Sequence, residues 1–234
     1  MPKIELTEGT FDYRPIPIFE GVKIIDKEVA YDNLCLLKDV LDCNDVSFQL
    51  AYGTLLGAIR EHDFIEHDED IDLTLLDEDK QNLFDALPKL SKVGFQVARY
   101  DRRGLMSIIR NGEYIDLYIF KHLDNETRYC SGIIIPEELI IETVDYNFKG
   151  RVFKIPKRYE EYLKYEYGDN WRIPVQYFDY NAPKAKRFWG ALKATIKEWL
   201  PNWLYFKLLK KSEQRMLNRY EPKMEKYLSE HNKV

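Results

Sequence analysis

Asp70 and Asp72 stand two residues apart in the most acidic part of the chain, where residues 61–79 contain ten Asp or Glu and no Lys or Arg. They alternate with apolar residues, a pattern typical of a strand whose other face lies on the core. The two carboxylates would then share one face, about 7 Å apart. Mg²⁺ prefers hard oxygen ligands, which substrate phosphates and water complete. The pattern therefore indicates a divalent-cation site, with a solvated acidic face as the alternative.

Asp116 is a third carboxylate, isolated within the apolar and aromatic stretch Tyr114–Phe120. This stretch also predicts a strand. A carboxylate buried there without a partner would cost free energy. The residue types therefore predict that Asp116 is a third metal ligand or a general base.

A Gly-Thr turn precedes the acidic strand. Gly53 and Thr54 follow one predicted strand and open a predicted helix that ends at Arg60. Glycine and a hydroxyl residue at a helix N-terminus can cradle a phosphate group, and an arginine can pair with it. Thr54 lies 16 residues before Asp70. We therefore expect the turn and the carboxylates to share one site, although Gly-Thr turns are common elsewhere.

Hydrophobic periodicity predicts a mixed β-sheet flanked by helices, an α/β (α+β) fold. The predicted strands are Val46–Ala51, Asp70–Leu76, Phe95–Tyr100, Leu105–Arg110, Tyr114–Phe120 and a hairpin over Tyr146–Ile155. The predicted helices cover residues 22–43, Leu55–Arg60, 77–92, Arg158–Tyr167, Phe188–Leu200 and Trp203–Leu228. We expect residues 1–183 to form one catalytic domain and residues 184–234 a helical extension.

The run GTLLGAIREHDFIEHDEDIDL, residues 53–73, resembles the LicD family, which includes fukutin and fukutin-related protein. The family pattern reads roughly G-T-L-L-G-x-x-R, then I-P-W-D-D-D-I-D. Here Glu66-His67 replaces Pro-Trp, and Glu69 replaces one Asp. Downstream, Tyr167–Pro174 resembles the family's Y-G-x-x-W-x-x-P. The resemblance covers about residues 25–180.

The resemblance implies a nucleotidyltransferase-like fold and a metal-dependent phosphotransferase. Such an enzyme moves a phospho-alcohol (phosphocholine, or an alditol or glycerol phosphate) from a CDP-activated donor to a glycan hydroxyl and releases CMP. The glycan would be a cell-surface polysaccharide such as lipopolysaccharide, teichoic acid or capsule. The partners would be the CDP-alcohol and a glycan or lipid-linked glycan.

The resemblance also assigns roles to residues. The implied catalytic residues and ligands of Mg²⁺ or Mn²⁺ are Asp70, Asp72 and Asp116. The implied donor-binding residues are Gly53, Thr54, Arg60 and Arg103. Asp116 would take the proton of the acceptor hydroxyl, with Asp68 as the alternative base. A solvated position is the alternative for Arg103.

Two other functions share these features. A nucleotidyltransferase would transfer a nucleoside monophosphate and release pyrophosphate. A glycan-binding protein with a decayed site would release neither product. The three repelling carboxylates argue against the second alternative, because a protein without catalysis gains little from them.

Composition limits the partners and the compartment. The net charge of −5 argues against a nucleic-acid-binding protein, which needs a basic surface. Three cysteines without metal-ligand spacing indicate reduced thiols and no structural zinc. The N-terminus has no apolar signal-peptide core, and no apolar run reaches 18 residues. We therefore expect a cytoplasmic protein.

The charge is unevenly distributed, because residues 184–215 contain nine Lys or Arg and two Glu. Within residues 184–211, aromatic and aliphatic side chains recur at helical spacing. We expect this stripe to pack on the protein's own domain. The alternative is a peripheral contact of residues 184–211 with the inner face of an anionic membrane.

Overall fold

The computed structural model describes residues 1–18, 23–174 and 184–231. The strands are β1 (Lys3–Glu5), β2 (Thr10–Asp12), β3 (Gln49–Leu50), β4 (Ile71–Leu76), β5 (Gln96–Asp101), β6 (Leu105–Arg110), β7 (Glu113–His122), β8 (Thr127–Cys130), β9 (Ile133–Pro136), β10 (Thr143–Phe148) and β11 (Arg151–Pro156). The helices are α1 (Lys27–Asp42), α2 (Tyr52–Arg60), α3 (Lys80–Lys92), α4 (Tyr159–Tyr167), α5 (Lys184–Glu198) and α6 (Asn202–His231).

A mixed sheet of nine strands forms the centre of the described structure. Its main order is β10-β11-β3-β4-β7-β6-β5, with β8 pairing the end of β7 and β9 pairing β8. The central strands β4 and β7 run parallel, whereas β7, β6 and β5 are successively antiparallel. The predicted mixed α/β fold is therefore confirmed.

The register of four neighbouring strands places polar residues side by side. Asp72 on β4 lies opposite Asp116 on β7. Asp116 lies opposite Ser107 on β6, which in turn lies opposite Arg99 on β5. Opposed residues point to the same face of a sheet, so the four side chains form one row across it.

The other face of β4 lies in the core. Ile71, Leu73 and Leu75 are almost completely buried there. The helices α1 and α3 contribute their apolar sides to the same core. The carboxyl of Asp26 caps α1 by accepting the N–H groups of Glu28 and Val29. Burial of the apolar face of β4 thus fixes the position of the acidic side chains on its opposite face.

Several boundaries differ from those predicted. The strand predicted over Val46–Ala51 is only two residues long, and α2 begins at Tyr52 rather than Leu55. Gly53 and Thr54 therefore belong to the first turn of α2 instead of a preceding loop. The hairpin of β8 and β9 was not predicted from the sequence, whereas the one at Gly150 was.

The C-terminal helices pack on the preceding part of the chain with only part of their surface. The helix α6 lies along β9 and buries Tyr205, Leu209, Met224 and Tyr227. The helix α5 lies beside β5. The predicted boundary at residue 183 falls within residues 175–183, outside the described residues.

Most of the predicted packing stripe faces outward. Phe188, Ile196, Trp199 and Trp203 are 52%, 54%, 53% and 68% exposed. The expectation that these side chains pack on the protein's own domain is therefore wrong, because other residues of α6 occupy the inner side. Among the described residues, no helix combines the length and apolarity needed to cross a membrane.

Candidate active site

The site is built around Asp72 and Asp116, which parallel pairing of β4 and β7 places side by side. Their residues are 8% and 3% exposed, respectively. Asp70 lies two residues before Asp72, immediately before the first residue of β4. The structure therefore brings together the three carboxylates that the sequence singled out.

The first turn of α2 holds Asp72 in place. The backbone N–H of Gly53 donates to Asp72 Oδ2 at 3.1 Å. The backbone N–H of Asp72 donates to Thr54 Oγ1 at 2.9 Å. The hydroxyl of Thr54 is completely buried and fixes β4 to α2. Its predicted contact with a diphosphate stays a prediction, beside this observed structural role.

Tyr52, the first residue of α2, has a left-handed backbone with φ of 41°. Such a conformation is uncommon for a bulky residue and is tolerated where surrounding contacts enforce it. Its ring packs on Tyr118 at a centroid distance of 4.7 Å and on Tyr162 at 6.0 Å. Tyr118 also hydrogen-bonds to Asp72. These tyrosines hold the start of α2 against the carboxylates.

Asp68 approaches the same turn from the loop before β4. Its Oδ1 accepts the N–H of Glu69 at 3.1 Å, whereas its Oδ2 is buried without a hydrogen-bond partner among the described residues. A Cβ placed on Gly53 would lie 2.6 Å from this Oδ2. Gly53 is therefore the residue that lets the carboxylate come so close to α2. Burial, with a smaller contribution from the charges of Glu69 and Glu61, raises the pKa of Asp68 to about 6.

The acidic side chains raise one another's pKa. Burial raises the pKa of Asp70 well above its usual value, and the charges of Asp72, Asp116 and Asp68 add to this. Burial likewise raises the pKa of Asp72, with further contributions from Asp68 and Asp116. Four carboxylates therefore share a poorly solvated place, and a cation would relieve their repulsion.

The donor set fits a hard divalent cation. It contains carboxylate oxygens, one of which, Oδ2 of Asp68, is buried without a partner among the described residues. In the described part of the chain, no three acidic, His or Cys side chains are arranged as ligands of one ion. Asp70 and Asp72 could hold Mg²⁺ or Mn²⁺ as a pair, because Mg²⁺ commonly takes one or two carboxylates with phosphates and water.

Asp116 has a partner that the sequence analysis did not find. Arg99 on β5 donates to Asp116 Oδ2 at 2.8 Å, and Ser107 donates to its Oδ1. Arg99 also donates to Ser107 Oγ at 2.7 Å. An available signal was the short distance between the predicted strands Leu105–Arg110 and Tyr114–Phe120, because their antiparallel pairing places Ser107 opposite Asp116.

The two predicted phosphate-binding arginines lie in different surroundings. Arg60, at the end of α2, donates to the carbonyl oxygen of Trp171 at 3.3 Å and to Glu61 at 2.6 Å. Arg103, between β5 and β6, is bound by Asp101. Among the described contacts, no hydrogen bond or ion pair joins Arg103 to the central carboxylates. Its phosphate-binding role stays a prediction, and Arg99 is the arginine found beside them.

Tyr167, the last residue of α4, lies at the edge of the site. Burial raises the pKa of its hydroxyl, and the charges of Asp72 and Asp68 raise it further. The residue is nevertheless 43% exposed. Tyr167 therefore has its hydroxyl near the carboxylates and part of its surface in solvent. Tyr167 opens the motif Tyr167–Pro174, but the motif alone predicts no role for it.

Comparison with known proteins identifies this region. Residues 45–158 match the family model described as LicD/FKTN/FKRP, nucleotidyltransferase domain. The match contains β3, α2, β4 and β7, which form the site, together with β5 and β6.

Two curated rickettsial proteins share part of the chain. Uncharacterized protein RT0683 of Rickettsia typhi is 28% identical over 99 residues, which are 41% of this chain and 31% of that protein. Uncharacterized protein RP689 of Rickettsia prowazekii is 36% identical over 70 residues, 29% of this chain and 26% of that protein. The matched region thus spans less than a third of either relative.

Solved structures with partial similarity include an antibiotic adenylyltransferase and an antibiotic-resistance factor. The lincomycin-bound crystal structure of the lincosamide antibiotic adenylyltransferase LnuA has a TM-score of 0.43 at 13% identity, covering 74% of this chain and 97% of that one. The solution structure of the antibiotic-resistance factor ANT(2'')-Ia has a TM-score of 0.47 at 13% identity, covering 89% and 100%.

Proposed function

We propose that this protein is a metal-dependent phosphotransferase, because residues 45–158 match the LicD/FKTN/FKRP nucleotidyltransferase-domain model. It would move a phospho-alcohol from a CDP-activated donor to a glycan hydroxyl and release CMP, acting in the cytoplasm on a cell-surface polysaccharide or its lipid-linked precursor. The observation that carries the proposal is the pairing of Asp72 with Asp116 at the first turn of α2.

The donor's diphosphate would lie at the N-terminus of α2. The helix dipole favours anions there. Arg99, which pairs with Asp116, and Arg60, at the other end of α2, are the cations that we assign to the phosphate oxygens. Asp70 and Asp72 would hold Mg²⁺ or Mn²⁺, which when bound supplies charge neutralisation at the phosphate oxygens.

The acceptor hydroxyl would attack the phosphorus that carries the alcohol. A new P–O bond forms to the glycan, and the bond from that phosphorus to the oxygen of CMP breaks. We assign the released proton to Asp116, with Asp68 as the second candidate because its Oδ2 has no hydrogen-bond partner in the described structure. Positioning and charge stabilisation would provide most of the acceleration.

The test is CMP release from CDP-choline, CDP-ribitol and CDP-glycerol with Mg²⁺ and candidate glycans. We expect turnover by the wild type and by Asp77→Asn, a control in the same acidic stretch whose carboxylate is paired with the half-buried Lys80. Asp72→Asn should lower CMP release by about 10²-fold or more, as the loss of a charge-stabilising group does. Wild-type CMP release by Asp72→Asn would contradict the assignment.

Two further readouts separate the alternatives. Pyrophosphate release from a nucleoside triphosphate would identify a nucleotidyltransferase instead. Thermal unfolding with Mn²⁺ or Mg²⁺ tests binding of the ion alone. A free ion concentration ten times the dissociation constant stabilises the folded protein by about 1.4 kcal/mol. For a chain of this size that corresponds to a rise in Tm of about 3–6 °C. The rise should occur in Asp77→Asn and disappear in Asp70→Asn.

A further inference from the structure

The C-terminal helices expose an unusual number of large aromatic side chains. Three of the four tryptophans lie here, whereas the fourth, Trp171, is buried. We define the aromatic surface as the exposed side chains of Phe188, Trp189, Ile196, Trp199, Trp203 and Phe206. Exposed apolar patches of this kind mark interaction sites more often than ordinary surface.

The aromatic surface is separate from the side by which the helices pack on the protein. On α5, Trp189, Lys193 and Ile196 follow one another at intervals of four and three residues and so share a face. On α6, the inner side includes Tyr205 and Leu209, which are 3% and 4% exposed. The exposed aromatics are therefore not part of the contact that holds the helices in place.

The exposed charged side chains described within residues 184–211 have one sign. Lys193, Lys207 and Lys210 are exposed. Glu198 is the single acidic residue within residues 184–211, and it is buried. Its carboxylate accepts the Tyr13 hydroxyl at 2.7 Å and the backbone N–H of Tyr100 at 3.1 Å. No acidic side chain of this segment therefore offsets the lysines at the surface.

We propose that the aromatic surface binds the anionic surface of a phospholipid membrane. Tryptophan has an apolar ring with one polar N–H and favours the interface between water and lipid. Lysine can lay its aliphatic stem along the apolar layer and keep its ammonium near anionic headgroups. Both helices lie on the membrane in this arrangement, with their exposed faces in the headgroup region.

This contact would orient the proposed active site, a consequence that depends on the proposed function. Tyr100, whose N–H is bound by Glu198, directly follows Arg99 on β5. The guanidinium of Arg102 donates to the carbonyl oxygen of Glu198 at 2.9 Å. The membrane-binding segment is thus fixed to the strand that carries Arg99, and a lipid-linked acceptor would approach from that side.

The test uses the full-length protein with vesicles of phosphatidylcholine alone or with about 30% phosphatidylglycerol, a content that gives a negative surface potential. We expect sedimentation with the anionic vesicles only, a blue shift of tryptophan emission, and weaker binding at high salt. The double variant Trp199→Ala/Trp203→Ala and the triple variant Lys193→Glu/Lys207→Glu/Lys210→Glu should each bind at least tenfold more weakly. All five residues are exposed, so the variants should keep the far-UV circular dichroism of the wild type.

Matched controls lie elsewhere on the surface. Ile141→Ala removes another exposed apolar side chain, and Lys92→Glu reverses another exposed charge. Both should bind anionic vesicles like the wild type, as should Asp72→Asn, whose substitution is confined to the proposed active site. Vesicle binding is thereby measured independently of catalysis, so either proposal can fail alone.

Two results would overturn the membrane proposal. The first is a folded wild-type protein that stays in the supernatant with anionic vesicles at low salt. The second is a concentration-dependent dimer that Trp199→Ala/Trp203→Ala dissociates, because the aromatic surface would then be covered by a second copy of the chain.

Discussion

The ion pair between Arg99 and Asp116 should make Arg99 important for stability. The two side chains are 23% and 4% exposed, with 2.8 Å between nitrogen and oxygen. Removing one partner of a buried pair costs about 3–5 kcal/mol because a charge stays buried, whereas an exposed pair contributes about 0–1 kcal/mol. Arg99 is partly exposed and Ser107 still donates to Asp116. We therefore expect Arg99→Met to lower the free energy of unfolding by about 2–3 kcal/mol.

A double-mutant cycle isolates the pair. It comprises the wild type, Arg99→Met, Asp116→Asn and the double variant, each unfolded with urea at neutral pH and followed by circular dichroism. In the double variant neither member of the pair is left behind as an uncompensated buried charge. Its stability should therefore be higher than the sum of the single losses predicts, with a coupling energy of about 2 kcal/mol.

Arg151→Met is the matched control. Arg151 pairs with Asp39 at the surface, where the side chains are 29% and 62% exposed. Its removal should cost less than about 1 kcal/mol. If Arg99→Met costs no more than Arg151→Met, or the coupling energy is below about 0.5 kcal/mol, the inference that Asp116 depends on Arg99 is wrong.

Two further predictions test the surroundings of the site. Gly57→Ala should lower the free energy of unfolding by about 1–2 kcal/mol, since its Cβ would lie 2.5 Å from the carbonyl oxygen of Asp63. A Cβ added at Gly190 would have no atom within 4 Å, so Gly190→Ala should raise the free energy of unfolding by up to about 1 kcal/mol, measured by urea unfolding. Equal losses of stability in the two variants would contradict the packing argument. Arg128 lowers the pKa of Glu78 from 4.5 to about 2, so this stabilisation is complete above pH 4.5 and is lost between pH 4.5 and 2. As the pH falls over this range, the urea midpoint of the wild type should therefore decrease more steeply than that of Glu78→Gln. The difference should be modest because Glu78 is 56% exposed. Parallel plots of urea midpoint against pH would refute the pairing.

Much of the site follows from local patterns in the sequence. Alternation around Asp70 and Asp72 predicted that both lie on the polar face of a strand. The isolated Asp116 in a second predicted strand indicated a third carboxylate of the site. Local pattern could not place Arg99, because its position depends on the combined registers of β5, β6 and β7. A one-residue shift in either pairing would turn its side chain to the opposite face.

The first turn of α2 shows a different limit. A glycine and a threonine at a helix N-terminus are typical of phosphate-binding turns, and we therefore predicted that Gly53 and Thr54 contact a phosphate. The same two residue types are also common in loops that bind no ligand. In the structure, the Thr54 hydroxyl is used by the backbone of Asp72, and Gly53 accommodates Asp68. Both roles depend on strand β4 lying against α2, a long-range contact that residue types alone do not specify.

The C-terminal extension was harder to interpret because aromatic residues occur on more than one side of each helix. Periodicity identifies an apolar stripe but does not say which of several stripes is buried. Tyr205 belongs to the inner stripe, and Trp203, two residues earlier, belongs to the outer one. The choice depends on which side chains fit against β5 and β9.

The two sides of the extension must be tested by different variants. Tyr205 donates to Asp101 at 2.7 Å, and Glu198 binds the N–H of Tyr100, so both C-terminal helices contact β5. Deleting residues 184–234 would remove these contacts next to Arg99 and could lower activity without any membrane. Substitutions of outward residues such as Trp203 leave the contacts with β5 intact. Only they separate a role in membrane binding from a role in holding the active site together.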